Sequence, residues 1–238
     1  MTYQAQDNRL LAALPQTVKE RVFPKLREMK LSLSKEIYAA GQKPEYVYFP
    51  VDCIISLLYV MLDGASAEIS VVGHEGIVGI SVFMGGESTP SRAVVQSAGT
   101  AYALPAAELK QEFNNDPTMR MLMLRYTQAL ITQMSQTAVC NRHHSIDQQL
   151  CRWLLLSLDR LPSQELTMTQ ELIANMLGVR REGVTEAAGK LQKLGVIHYQ
   201  RGHITVLDRE KLEALSCECY AVVKRETDRL ANYTLAIV

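Results

Sequence analysis

The 238-residue sequence lacks the features that would mark a membrane or secreted protein. No apolar run approaches the roughly 20 residues that a membrane-spanning helix needs, so we expect no membrane partner. The N-terminus, MTYQAQDNRL, is polar and carries no secretion signal. The five cysteines are scattered, which is typical of a reducing compartment rather than a disulfide framework. We therefore expect a cytoplasmic protein.

An excess of charge of either sign is also lacking, because 25 Lys and Arg residues balance 25 Asp and Glu residues. A net charge of zero excludes a nonspecific polyanion binder, so any such contact must come from local placement of charge. An apolar content of 47% with 21% charged residues is typical of a folded protein. The length allows one large or two modest domains.

Signatures of the common enzyme classes are absent as well. The sequence contains no Ser-His-Asp spacing, no paired acids in a glycine-rich frame, no Walker loop and no zinc signature. We therefore expect no enzymatic activity and no catalytic residues.

The most informative stretch, residues 167–191, predicts two short helices joined by a tight turn. Thr167 or Thr169 is a suitable N-cap, with Gln170 completing a capping box for Thr167, and Gly178 supplies the left-handed conformation that ends the first helix. The second helix has an apolar back and a front of long hydrogen-bonding side chains, which is what a recognition helix in a DNA major groove needs. The pattern alone leaves a solvated helical hairpin equally open.

Two apolar strand candidates, residues 196–199 and 204–207, follow these helices, with a tight turn at Arg201 and Gly202. Two helices followed by a hairpin make a winged helix. The sequences GVRREGVT at residues 178–185 and LQKLGVI at residues 191–197 resemble the DNA-binding signature of the Crp/Fnr transcription regulators. The resemblance implies a sequence-specific transcription regulator whose partners are double-stranded DNA, a second copy of itself and RNA polymerase.

The front of the predicted recognition helix supplies the candidate base contacts. Arg181 is the first, because a guanidinium can hold guanine O6 and N7 with two parallel hydrogen bonds. Glu182 is expected to accept from cytosine N4 or to orient Arg181, and Thr185 to touch a thymine methyl or a phosphate. Glu186 completes the set, at a position where the family often has an arginine. The candidate phosphate contacts are Thr169, Gln170, Arg180 and Arg201.

Residues 31–105 change to short strands and glycine-rich turns, after a stretch over residues 1–28 that is predicted to be helical with Pro15 at an N1 position. The strand candidates are residues 31–33, 36–38, 46–49, 53–61, 67–72, 91–97 and 100–104. Such a pattern indicates a sandwich or closed roll. The resemblance implies the jelly-roll-like sensory β-roll of the family, hence an α+β fold with residues 1–116 as the first domain.

In some family members the β-roll holds a cyclic nucleotide between a Gly-Glu-Leu motif and a later Arg-Ser/Thr-Ala motif. Here Gly79 is followed by Ile80, so the ribose-binding carboxylate is missing. Arg92 follows Ser91 instead of preceding it, and a one-residue shift in a strand turns a side chain to the opposite face. We predict that this candidate ligand pocket, Gly79 and Arg92, does not bind cAMP in the usual way; Arg92 is more simply a surface strand residue. No cofactor is predicted, and the effector stays unassigned.

A long helix is predicted over residues 117–142, with apolar residues at coiled-coil spacings of three and four. These residues are Met119, Met123, Tyr126, Leu130 and Met134. We interpret them as a dimer interface, with Leu122, Ala129 and Ile131 covering the roll; the alternative is a helix packed on its own roll. The resemblance implies two subunits about a two-fold axis on a pseudo-palindromic site. Residues 143–238 then form the winged-helix domain with its C-terminal helix.

Two short patterns contain residue types that bind metals, and we interpret neither as a metal site. Cys217 and Cys219 form a C-x-C pair, but without a second pair they are more simply partly buried thiols. His143 and His144 lie in the predicted hinge, where we expect no Cys or carboxylate ligand. Family members that sense oxygen with an iron–sulfur cluster use N-terminal cysteines, and residues 1–30 contain none. The other three cysteines, Cys53, Cys140 and Cys151, are expected in the core.

A second functional class stays open on these patterns. A β-roll signalling module that acts through protein–protein contacts without binding DNA would use the same roll and helices. Binding to the promoter region of the protein's own gene distinguishes the two classes.

Overall fold

The computed structural model describes residues 3–232 of the chain. The predicted outer limits of the first and last domains, residues 1 and 238, lie outside that range. An N-terminal β-roll is followed by a long helix and a C-terminal winged-helix region, as the sequence predicts.

Within residues 3–232, seven strands form the roll as two antiparallel sheets. They are β1 (Arg27–Leu31), β2 (Glu36–Tyr38), β3 (Tyr46–Pro50), β4 (Ile54–Val60), β5 (Ser66–Val72), β6 (Arg92–Ser97) and β7 (Gly99–Pro105). One sheet has the order β1-β7-β3 and the other β2-β6-β4-β5. The strand predicted over residues 31–33 is wrong, because the chain bends at Ser34 (φ 64°) and the strand pairs earlier, through residues 27–31.

Side chains alternate across the four-stranded sheet, which therefore has two apolar faces. On β6, Ala93 and Val95 point into the core of the roll, whereas Val94 packs with the winged-helix region. On β4, Leu57 points inwards and Leu58 outwards in the same way. The outer face of this sheet joins the two halves of the molecule.

The helices are α1 (Arg9–Ala12), α2 (Gln16–Val22), α3 (Ala106–Asn115), α4 (Pro117–His143), α5 (Ile146–Leu158), α6 (Gln170–Leu177), α7 (Arg181–Lys193), α8 (Arg209–Leu215) and α9 (Glu218–Ala231). The N-terminal helical stretch ends earlier than predicted, and Pro15 is the N-cap of α2 rather than its first residue. The single predicted last helix is two helices, because Ser216 and Cys217 both have extended backbone (ψ 165°).

The apolar seam predicted to face a partner faces the protein's own roll instead. Met119, Met123, Tyr126 and Leu130 are buried in the roll core, and Met134 packs at its edge. This interpretation was wrong because a helix that covers its own domain repeats its apolar residues with the same spacing as a helix that meets a partner. Leu122 and Ala129 are also buried, whereas Ile131 is 48% exposed.

A different stripe of α4 remains uncovered in the single chain. Its exposed residues recur at spacings of three and four: Met121, Leu124, Gln128, Ile131, Ser135 and Ala138. Three of the four large apolar side chains that α4 leaves exposed belong to this stripe, with fractional exposures of 51%, 42% and 48% for Met121, Leu124 and Ile131. The fourth is Val139, next to the stripe.

Helix α5 lies on the outer face of the four-stranded sheet and is fixed there by buried polar contacts. Trp153 Nε1 donates to Glu68 Oε1 at 3.0 Å, and Gln96 Nε2 donates to Ser157 Oγ at 2.9 Å. Ser56 Oγ lies 2.5 Å from Glu68 Oε2 and 2.7 Å from Gln96 Oε1. Burial raises the pKa of Glu68 to about 7, against the opposing effects of the hydrogen bonds with Ser56 and Trp153 and of the charges of Arg152 and Arg160.

The protonated form of Glu68 fits this network better than the ionised form. Ser56 has one hydroxyl proton for two neighbouring acceptor oxygens. When Glu68 carries its proton, it can donate to Ser56, and Ser56 can then donate to Gln96. Both hydrogen bonds of Ser56 can therefore form only while the Glu68 carboxyl is protonated.

We expect the melting temperature to fall as pH rises from 4.5 towards 7. The folded state raises the pKa of Glu68 from 4.5 to about 7, so the folded protein holds a proton that the unfolded chain releases. The contribution of Glu68 to the free energy of unfolding has its full value below pH 4.5 and is lost as pH rises through about 7. Glu68→Gln should remove this part of the fall, because an amide of the same size does not titrate. Thermal melts over a pH series measure it.

Glu210→Gln, which removes an exposed carboxylate from α8, is the matched control and should keep the wild-type pH profile. An identical pH profile for Glu68→Gln and the wild-type protein would show that Glu68 does not titrate in this window.

Candidate nucleic-acid interface

The helix-turn-helix consists of α6 and α7, and its turn has the predicted chemistry. Thr169 is the N-cap of α6 and accepts a hydrogen bond from the Leu172 N–H at 3.3 Å. Gly178 ends α6 in the left-handed conformation (φ 67°), and its N–H donates to the Ala174 carbonyl. Thr167 lies two residues before the cap, in the short strand β8 (Glu165–Thr167), which removes the predicted capping box.

Helix α7 has one anchored face and one free face. Its buried residues pack with α5 and α6 in a single apolar core: Val184, Ala187, Ala188 and Leu191. The four candidate base contacts are exposed on the other side: Arg181, Glu182, Thr185 and Glu186. The helix therefore presents its polar front to solvent while its back is fixed.

The wing is a hairpin of β9 (Ile197–Gln200) and β10 (His203–Val206). Its two-residue turn has positive φ at both positions, 50° at Arg201 and 82° at Gly202. That conformation matches the twist of a hairpin, and it places Arg201 at the exposed tip. Strand β10 also pairs with β8, a strand that is not among the predicted ones, so the wing is a three-stranded sheet.

Four of the predicted contact residues line one concave surface between α6, α7 and the wing. They are Thr169, Gln170, Arg181 and Arg201. Tyr199 also lines this surface, and its hydroxyl donates to the Met168 carbonyl at 2.9 Å. This bond fixes the wing beside the start of α6. Arg180 is exposed at the N-cap of α7, outside the lining of this surface.

The candidate base contacts differ in whether they already have a partner. Thr185 Oγ1 lies 2.7 Å from Gln170 Oε1 and 3.0 Å from the Arg181 carbonyl. Glu186 forms an ion pair with Lys190 at 3.0 Å. To contact a ligand, Thr185 must therefore give up its hydrogen bond to Gln170, and Glu186 its ion pair with Lys190.

Arg181 and Glu182 are free by comparison. Within residues 3–232, neither side chain makes a hydrogen bond or an ion pair with another residue. Glu182 lies in the first turn of α7, where the positive end of the helix dipole stabilises a carboxylate. The donors of Arg181 are consequently available to a ligand without loss of an internal bond.

The two residues of the candidate ligand pocket lie on different surfaces. Gly79 (φ 109°) packs inside the roll, where an added Cβ would lie 3.0 Å from Val47 Cγ1. Arg92 lies on the same face of β6 as Val94, opposite Ala93, and its Nη1 is 3.8 Å from Glu36 Oε2. The one-residue shift thus turns Arg92 away from the roll core, as period-two alternation predicts.

Four residues that the sequence analysis treated separately come together elsewhere. Cys140, His144, Cys217 and Cys219 form a thiol–imidazole cluster in which all four potential ligand atoms lie within 4.8 Å of one another. The expectation that His144 has no cysteine nearby was wrong. Cys140 lies one helical turn before it on α4, and this C-x-x-x-H spacing was the signal in the sequence.

Across residues 3–232, none of the helices has both the length and the apolar character needed to span a bilayer.

Comparisons with known proteins agree with this architecture. The cyclic nucleotide-binding domain family matches residues 29–116, and the Crp-like helix-turn-helix domain family matches residues 148–215. The global nitrogen regulator of Nostoc sp. is 23% identical over 183 residues, which is 73% of this chain and 82% of that protein.

Solved structures show the same fold at low sequence identity. FixK2 from Bradyrhizobium japonicum has a TM-score of 0.68 at 18% identity, covering 81% of this chain and 98% of FixK2. A Crp/Fnr-family transcriptional regulator from Thermus thermophilus has a TM-score of 0.63 at 18% identity, covering 80% of this chain and 98% of that one. Because the roll, the helix-turn-helix and both matched domain families occur in one order along one chain, the protein belongs to the Crp/Fnr family of DNA-binding transcription regulators.

Proposed function

We propose that this regulator binds a pseudo-palindromic DNA site as a homodimer, with α7 of each subunit in a major groove. The observation that carries the proposal is the free polar front of α7 on a helix whose back is buried in the core. A major groove admits a helix of this kind, and its base edges are read by side chains on the exposed face.

The side chains divide into two roles. Arg181 reads guanine through O6 and N7, and Glu182 accepts from cytosine N4 beside it. Thr169, Gln170 and Arg201, which line the same concave surface, contact phosphates and set the register of the helix. Arg180 adds a phosphate contact at the start of α7, where the N-cap has no side-chain bond of its own.

The dimer forms through the exposed stripe of α4 rather than through the buried seam. Leu124, Gln128 and Ile131 repeat in the pattern of a two-stranded coiled coil, and this face stays uncovered in the single chain. Burying Met121, Leu124 and Ile131 against the same residues of a second copy removes an apolar surface from water. Two-fold pairing of this helix then presents two copies of α7 to successive turns of the duplex.

The signal that reaches the roll is not cAMP bound in the usual way. The placement of Arg92 on the outer face of β6 supports this, as does Ile80 at the position of the ribose-binding carboxylate. The proposal also includes contact with RNA polymerase, because regulators of this family act on transcription. It places the protein in the cytoplasm, where its DNA target lies. Activation or repression depends on where the site lies relative to the promoter.

Arg181→Ala should weaken binding to the preferred site by about 1–3 kcal/mol and relax specificity at one base pair. The loss arises because two hydrogen bonds to guanine disappear. Binding of the full-length protein to its own promoter region, followed by fluorescence anisotropy on single-base variants of the mapped site, measures both effects.

Two comparison variants sharpen this test. Arg201→Ala should weaken binding to all sequences alike and lower the salt dependence by about one charge, as loss of a phosphate contact does. Lys35→Ala removes an equal charge from an exposed loop of the roll and should leave binding unchanged. Wild-type specificity in the Arg181→Ala protein would show that Arg181 does not read a base. Absence of any specific DNA binding by the wild-type protein would instead favour a module that acts through protein contacts.

Ile131→Glu should convert the dimer to a monomer, because it places two like charges in the middle of the proposed helix pair. Sedimentation equilibrium measures the change. Leu62→Glu is the matched control, since Leu62 is fully exposed at a hairpin tip and its charge should leave the dimer intact. Dimers of unchanged affinity in the Ile131→Glu protein would place the interface on another surface.

Calorimetric titration of cAMP into the full-length protein should give no saturable heat at micromolar concentrations. The physical reason is that the Arg92 guanidinium lies on the outer face of the sheet, away from the roll core that would enclose a nucleotide. Saturable micromolar binding of cAMP would contradict this prediction, and its loss in Arg92→Ala would assign the contact to Arg92.

A further inference from the structure

The thiol–imidazole cluster joins two helices that are far apart in sequence. Cys140 lies in the last turn of α4 and His144 is its C-cap. Cys217 is the N-cap of α9 and Cys219 lies in the first turn of that helix. The three cysteines are buried, with 0%, 5% and 1% exposure for Cys140, Cys217 and Cys219.

Two distances within the cluster are close to those in the shell of one tetrahedral metal ion, and the remaining pairs of ligand atoms lie within 4.8 Å. Cys140 Sγ lies 3.5 Å from Cys217 Sγ, and Cys219 Sγ lies 3.6 Å from His144 Nδ1. A tetrahedral zinc ion with Zn–S of about 2.3 Å and Zn–N of about 2.0–2.1 Å sets its sulfur atoms about 3.8 Å apart and each sulfur about 3.5 Å from the nitrogen. These two distances therefore need to change by no more than a few tenths of an ångström when zinc binds.

We propose that Cys140, His144, Cys217 and Cys219 bind one Zn²⁺ ion in a structural Cys3His site. Four protein ligands fill a tetrahedral zinc shell and leave no open position, so the site supports structure and not hydrolytic chemistry. An iron–sulfur cluster distributes its ligands over several iron atoms, which needs a wider arrangement than four atoms within 4.8 Å. A disulfide between Cys140 and Cys217 would require their sulfur atoms, which lie 3.5 Å apart, to approach to about 2.05 Å.

His144 has a carboxylate, Glu218, beside its second ring nitrogen, as metal-binding histidines commonly do. With Nδ1 directed at Cys219, the other ring nitrogen, Nε2, lies 3.3 Å from Glu218 Oε2. A carboxylate that accepts from the second ring N–H fixes the tautomer and orients the ring towards the metal. Glu218 lies between the two cysteine ligands of α9 in sequence, so the same helical turn supplies two ligands and the positioning residue.

The charge around the cluster also fits an occupied site. Zn²⁺ with three thiolates and a neutral imidazole carries one net negative charge. Arg152 is 3% exposed and, within residues 3–232, donates only to Thr137 Oγ1 through Nη1; its charge acts on both Cys140 and Cys219. Its Nε has no hydrogen-bond partner among the described residues. A buried guanidinium needs a nearby negative charge; Glu68 is one acidic neighbour of Arg152, and a zinc–thiolate centre supplies a negative charge on the side of the cluster.

Binding requires loss of the thiol protons and no transfer of electrons. The three ligand cysteines are free thiols. As zinc binds, their three protons pass to solvent, and three Zn–S bonds and one Zn–N bond form.

Zinc at this position would clamp the C-terminal helix onto the long helix. Helix α9 runs antiparallel to α4, and its far end is held where Arg125 Nε donates to the Leu230 carbonyl at 3.0 Å and Arg125 Nη2 donates to the Arg229 carbonyl at 3.2 Å. The metal fixes the opposite end, beside the Ser145 junction between α4 and α5. The inference does not depend on DNA binding, so it and the proposed function can fail separately.

The test uses the full-length protein, stripped of metal under reducing conditions and titrated with Co²⁺ and then Zn²⁺. We expect one Co²⁺ per chain with the visible absorption of a tetrahedral thiolate site, displaced by one Zn²⁺, and a higher melting temperature with zinc than without. Cys219→Ser should weaken the thiolate absorption by about one third and lower the affinity for Co²⁺, whereas Cys53→Ser, a buried cysteine of the roll, should not change either.

Glu218→Gln keeps the proposal testable if Cys219→Ser does not fold, because the Glu218 side chain is 75% exposed. It should weaken zinc affinity by about 10–100-fold in a chelator competition while the metal-free protein melts as the wild type does. Glu210→Gln is the matched exposed control on α8 and should leave affinity unchanged. Failure to bind Co²⁺ or Zn²⁺ at one per chain, retention of iron and sulfide instead, or equal zinc affinity in Glu218→Gln and Glu210→Gln would overturn the assignment.

Discussion

The packing of α5 on the outer face of the four-stranded sheet is the contact on which the rest of the structure depends. Every residue from Gln149 to Leu158 is buried, and α5 shares one apolar core with β4, β6, α6 and α7. An added Cβ at Gly183 of α7 would lie 2.8 Å from Ile146 Cδ1, so a glycine inside the recognition helix allows close approach to α5. The sheet of the roll therefore sets the orientation of α7 mainly through α5, and also through α6, whose C-cap Gly178 lies against Ala67 of β5.

This arrangement gives the roll a physical route to the DNA-binding surface. Trp153 and Ser157 of α5 bond to Glu68 and Gln96 of the roll, and the buried pair of Arg160 with Glu75 (2.7 Å) adds a third polar link. Buried polar contacts are costly when a partner moves away, so such an interface favours a small number of discrete arrangements over continuous sliding. A ligand or proton that changes the outer face of the sheet acts directly on the helix that carries α7.

Local chemistry explains which parts of this structure the sequence predicts. The left-handed Gly178, the positive-φ turn at Arg201 and Gly202, and the bounds of α5 each follow from signals within a few residues. The choice of face on α4 does not, because Met123 and Ile131 both belong to three-and-four repeats and only the position of the roll separates them. The thiol–imidazole cluster likewise depends on α9 folding back along α4, a tertiary contact that brings Cys217 to Cys140. Strand β8 is three residues long and forms because β10 lies beside it.

The charges on the exposed front of α7 bear on the sequence specificity of the proposed DNA contact in a protein with no net charge. Arg180 and Arg181 are followed by Glu182 and Glu186, so the front of α7 is nearly neutral and is not drawn strongly to phosphates in general. A carboxylate facing the groove is repelled by the DNA backbone unless it accepts from a base such as cytosine. In the proposed complex we expect Glu182 to disfavour most sequences and Arg181 to favour one, and discrimination by both attraction and repulsion exceeds what either side chain provides alone. The proposed phosphate contacts from Arg201 and the start of α6 would then supply the affinity that this nearly neutral front does not provide.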